Sequence, residues 1–178
     1  MIPRYLPGRP LPPYSYVSGH FPHPIRDPDG HMYGHDDIVC AAPDPCRWSD
    51  SPDYLYGIDL FNHGYYWEAH EQWEGLWHAC QRSGAVGDFL KALIKLAAAG
   101  VKARERRPAG VTRHARRAAE LFESVAEQAG EDQGKFMGLD LRQLARQASE
   151  FSMSPPGTAA KTPLPNVERL LDIQLLPE

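Results

Sequence analysis

The chain has no apolar run approaching the ~20 residues that a helix needs to cross a bilayer, so no membrane span is expected. Its first residues, MIPRYLPGRPLPPY, lack the apolar stretch of a secretory leader. Three cysteines, Cys40, Cys46 and Cys80, are too few and too odd in number for a disulfide framework, which points to a reducing cytoplasm. Neither sign of charge dominates. With 19 basic and 23 acidic residues the net charge is −4, which excludes a wholesale nucleic-acid coat but not a local patch. No stretch reads as a strand of period two. Proline is nearly missing from residues 53–154, which hold only Pro108. What remains is 178 residues, 42% hydrophobic and 24% charged, a one-domain length with enough material for a core.

Ten of the 17 prolines fall in residues 1–50, and Pro52 follows. Such a stretch cannot be helical, because proline removes donors and biases its predecessor away from the α region. Residues 1–52 are therefore expected as a Pro- and His-rich extended arm. Composition alone fits a mobile arm, whereas Tyr14, Tyr16, Phe21 and Trp48 could anchor it on a folded body. Residues 152–178 form a tail: SPPGTAAKTPLP is a linker, and LLDIQLLPE is an apolar end suited to docking.

Between them, residues 53–151 read as an all-α, compact bundle of about five helices. Ser51-Pro52-Asp53 is a start signal, and Asn62-His63-Gly64 a stop. A second helix runs from about Tyr65 to Gln81. A third, about Val86 to Arg104, is apolar nearly all round and should be central. A fourth, about Ala109 to Gln128, carries Val111, Ala115, Ala118, Phe122, Val125 and Ala129 as a buried stripe. Gly130, Gly134 and Gly138 mark a loop before a fifth helix from Leu139 to Phe151.

The second helix holds the candidate chemistry. At 100° per residue, Tyr66, Ala69, Trp73, Leu76 and Cys80 form its core stripe, with Trp67, His70, Glu74 and Trp77 beside it. His70 and Glu74 are four residues apart, and Glu71 and Glu74 three, so all are neighbours. An imidazole and carboxylates flanked by indoles suit acid–base work or a metal, which makes His70, Glu71 and Glu74 the catalytic candidates. Glu stands at position 74 where a zinc protease would have its second His, yet His70 and Glu74 can still chelate one divalent ion. Trp67, Trp77, Lys91 and Lys95 complete the candidate ligand-binding set. In the structural alternative, Lys91, Lys95 or His114 satisfies the carboxylates and the cluster only fixes helix packing.

The run Leu60-Phe61-Asn62-His63-Gly64-Tyr65-Tyr66-Trp67-Glu68-Ala69-His70-Glu71-Gln72-Trp73-Glu74-Gly75-Leu76-Trp77 resembles the signature of the prokaryotic family known as domain of unknown function 309. In that family a glycine turn precedes an aromatic–Glu-Ala-His-Glu helix. Phe89 to Ala99 is similar to its next helix, with Lys91 and Lys95 where glutamines commonly stand. The resemblance runs from about Tyr54 to Phe151 and implies a compact all-helical bundle. The family has no settled activity, so it informs the fold more than the function.

Two further features carry weaker signals. Residues 102–117 hold seven basic side chains against Glu105, which suits an anion or nucleic acid, or simple pairing such as Arg116 with Glu120. Nucleic acid is the less favoured partner, given the net negative chain and few interleaved aromatics. His31, His35, Cys40 and Cys46 are four zinc-ligand types in one short stretch, though their spacing is loose. The functional reading is a small-ligand or divalent-cation binding domain centred on His70, Glu71 and Glu74. A metal-assisted or acid–base hydrolase using the same residues is the alternative, and a protein-interaction scaffold the weaker one. Homo-oligomers are left open.

Overall fold

The computed structural model describes residues 2–35, 39–128, 134–156 and 164–178. Ala129, Gly130 and linker positions 157–163 lie outside the described residues. Ser51 caps α1 (Pro52–Asn62), its Oγ accepting from the Tyr54 N–H at 3.4 Å, with Pro52 at the first position and Asp53 in the first turn. Gly64, at φ +88°, takes the left-handed conformation that ends α1 without a Cβ clash. α2 (Tyr66–Ala79), α3 (Gly84–Arg104), α4 (Pro108–Gln128) and α5 (Leu141–Met153) follow.

α3 lies between α2 and α4; α1 packs on α2, and α5 on α4. The near-complete apolarity of α3 is thereby explained: Phe89, Leu90, Leu93, Leu96 and Ala97 are all fully buried. Gly100 lets α2 approach closely, because a Cβ there would lie 2.4 Å from a ring carbon of Tyr66. The stripe on α4 is buried at Val111, Ala115, Ala118, Phe122 and Val125. Among the described residues, no helix is long and apolar enough to cross a membrane.

The structure corrects the strand-free expectation in one place. Leu139–Asp140 is not the start of the fifth helix but strand β2, paired antiparallel with β1 (Lys135–Phe136). Met137 and Gly138, at φ +46° and +80°, form the two-residue turn, whose positive φ values match the twist of a tight hairpin. Two residues per strand are too few to show a period. In the tail, Leu171, Ile173 and Leu175 are buried while Asp172 and Leu176 are exposed, an alternation that puts one face of an extended segment on the core.

Arm and tail are held by buried polar side chains of the helices. The Asp59 carboxylate on α1 accepts from Arg4 Nε at 3.0 Å and from the backbone N–H groups of Tyr5 and Leu6 at 2.8 and 2.9 Å. Asn62 donates to the Leu175 carbonyl and accepts from its N–H, both at 2.8 Å. The Tyr66 hydroxyl accepts from the N–H groups of Leu170 and Leu171. Two of the arm's aromatics also dock on the helices, Tyr16 meeting Trp67 edge-on and Trp48 meeting Tyr54, while Tyr14 stacks on Phe21 within the arm.

Replacing Asp59 by Ala leaves Arg4 and two N–H groups without their acceptor. Removing one partner of a buried pair costs roughly 3–5 kcal/mol, and the partial exposure of Arg4 puts the expectation near the lower end. Urea unfolding measures that loss, and limited proteolysis should show the first residues of the arm released before the bundle is cut.

Candidate functional site

Helical spacing brings His70, Glu71, Glu74 and His78 onto one outward face of α2. His70 Nδ1 lies 3.2 Å from Glu71 Oε1 and 3.8 Å from Glu74 Oε2, and His78 Nε2 lies 3.9 Å from Glu74 Oε1. One ligand atom each from His70, Glu71 and Glu74 fall within 4.8 Å of one another. The three side chains are half-buried, at 27%, 31% and 41% exposure, so the cluster is open to solvent.

The residues expected around it fare differently. Lys91 and Lys95 are half-buried on α3, and neither makes an ion pair with these carboxylates among the described residues. Trp67 lies against Tyr16 and His23 of the arm, with centroid distances of 5.2 and 5.7 Å. Trp77 carries the Arg82 guanidinium over its ring at 5.3 Å. His114 is not the cation the structural alternative required. Burial first, then the positive charges of Lys95, Arg113, Lys102 and His70, push its imidazole from 6.5 down to about 4, so it is neutral at neutral pH.

Much of the basic segment is paired within the protein. Lys102 and Arg107 meet Glu105, Arg106 meets Glu168, and Arg117 meets Glu120. The expected partner of Glu120 was Arg116; the pair forms at three residues' spacing rather than four. The zinc set in the arm is also corrected. His31 packs edge-on against Tyr14 and turns Nε2 toward Glu68, while Cys46 is an exposed free thiol. Among the described residues, only His70, Glu71 and Glu74 form a group able to hold a metal.

Two polar residues of α2 escaped the sequence reading. Glu68 is buried, its Oε1 accepting from the Tyr16 N–H at 2.8 Å with His31 Nε2 at 3.4 Å. Gln72 is buried too, donating to Asp53 Oδ1 at 3.1 Å and accepting from Arg9 Nη2 at 3.4 Å. Both stand in the motif helix, but helical periodicity points them away from the core stripe. Their partners are distant in sequence: Tyr16 and His31 of the arm for Glu68, and Arg9 of the arm with Asp53 of α1 for Gln72.

The depressed imidazole of His114 makes stability depend on pH. The unfolded chain takes up a proton near 6.5, the folded one only near 4, so stability is full above 6.5 and falls as the pH drops between these values. Denaturant unfolding at pH 7 and pH 5 should show a smaller loss in His114→Gln than in the wild type.

No curated protein and no solved structure matches the chain. Residues 54–114, from α1 through α2 and α3 into the first turns of α4, match the family model described as Domain of unknown function (DUF309), and over that segment the chain's resemblance to the family is shown.

Proposed function

We propose that this domain binds a divalent cation on α2, with His70 as the nitrogen ligand and Glu71 and Glu74 as the oxygen ligands. The observation that carries the reading is the convergence of three donor atoms within 4.8 Å, one from each side chain. Among the described residues these carboxylates lie within ion-pair distance of the imidazoles of His70 and His78 and of no lysine or arginine. Two like charges on neighbouring turns repel, and a dication relieves that repulsion while using both carboxylates. One imidazole with two carboxylates suits zinc or manganese better than calcium, which prefers oxygen alone. Three protein donors leave positions for water, the arrangement of catalytic rather than structural zinc. The half-exposed face is accessible to an ion and to a second ligand. Free thiols at Cys40, Cys46 and Cys80 fit a reducing compartment, and we place the protein in the cytoplasm on that ground.

Thermal unfolding in the presence of zinc, manganese or a strong chelator tests the reading. At an ion concentration about a hundred times Kd, binding adds ~2.7 kcal/mol, which raises the midpoint of a domain this size by roughly 5–10 °C. That shift is expected in the wild type and absent in His70→Ala and Glu74→Gln. An unchanged wild-type midpoint under all three conditions rejects metal binding at this face.

A further inference from the structure

The arm does more than cover α1 and α2. Between it and these helices lies a pocket of about 310 Å³, at the small end of the range for small-molecule sites. Its apolar wall comes from Pro10, Leu11, Pro12, Pro13 and Met32 of the arm and Leu60 of α1. Three proline rings in four residues hold that stretch of wall in one shape, so little ordering is left for a ligand to bring about.

Every polar side chain that lines it is engaged within the protein. The Arg9 guanidinium bonds to Asp53 at 3.0 Å and lies 3.9 Å from the centre of the Tyr56 ring. The Tyr56 hydroxyl donates to the Pro10 carbonyl at 2.8 Å, and Gln72 bonds to both Arg9 and Asp53. Glu71 Oε1 lies 3.2 Å from the His70 imidazole. Glu68 accepts from the Tyr16 N–H and faces His31; its second oxygen is closed to solvent, and its charge acts on the buried Arg104 guanidinium. What the pocket offers a ligand is therefore its apolar wall.

We propose that this pocket binds an uncharged, ring-sized organic compound through apolar contact with the prolines, Leu11, Met32 and Leu60. Either sign of charge on the ligand is disfavoured: it would give up its hydration for groups that already have partners. A bare metal ion is excluded by the wall, because proline and leucine cannot replace its water shell. An apolar cavity of about 150 Å³ holds benzene, so this volume takes one ring with a short substituent. The site is separate from the cation site on His70, Glu71 and Glu74; Glu71 borders both, so the test leaves Glu71 intact.

The experiment titrates the full chain with benzyl alcohol, benzylammonium and benzoate, followed by amide and methyl chemical shifts. Because only the charged analogues lose hydration that the pocket does not replace, benzyl alcohol is expected to bind about tenfold or more tightly than either. Its saturable shifts should centre on Leu11, Met32 and Leu60, and a strong chelator should leave them unchanged, since no metal takes part. Met32→Trp fills the pocket from the arm side and should abolish binding. Leu11→Ala, which removes part of the wall, should weaken it by about fivefold, and it decides the matter if Met32→Trp fails to fold. No saturable benzyl alcohol shift, an equal or stronger response to either charged analogue, loss of the response with chelator, or full binding in both variants would overturn the proposal.

Discussion

The arrangement of the N-terminal half depends on one carboxylate. A proline-rich segment has too few N–H groups to build a ladder, and those it retains must still find acceptors once they leave water. Asp59, fully buried on α1, takes the N–H groups of Tyr5 and Leu6 and the guanidinium of Arg4. The dependence is mutual: an Asp buried against a helical core would be untenable without those three donors. Once the first residues are fixed there, Arg9 reaches Asp53 and Gln72, the chain crosses α2 at Tyr16, and Glu68 becomes buried. The burial of Glu68 therefore follows from the fastening of the arm upstream of it.

The same device recurs for the tail. Asn62 offers the tail one donor and one acceptor in the spacing of a strand neighbour, and Tyr66 accepts two successive N–H groups. Arg104 closes the circuit. Its Nη2 donates to Ser15 O of the arm and to Pro165 O and Asn166 O of the tail. Burial lowers its pKa, against which the charges of Glu168 and Glu68 act. Helices normally satisfy their own backbone, so these side chains are free to serve segments that cannot satisfy theirs. Arm and tail meet at Ser15 N and Asn166 O, 2.8 Å apart, one backbone bond between two segments held mainly by the bundle.

What could be read from the sequence was what local spacing encodes. The stripe on α4, the apolar girth of α3, the Ser51 cap and the Gly64 stop all follow from residues within a turn or two of each other. So does the closeness of His70, Glu71 and Glu74. Glu68 and Gln72 sit in the same helix, yet their burial is imposed by Tyr16, His31 and Arg9 from far upstream, and no periodicity announces it. Asp59 was hidden for the same reason. The tail was legible in part: Leu171-Asp172-Ile173-Gln174-Leu175 does alternate, but within a short run of mostly apolar residues the pattern is easily taken for a general apolar end. The hairpin of Lys135–Asp140 could not be seen, since its strands are shorter than the period that would reveal them.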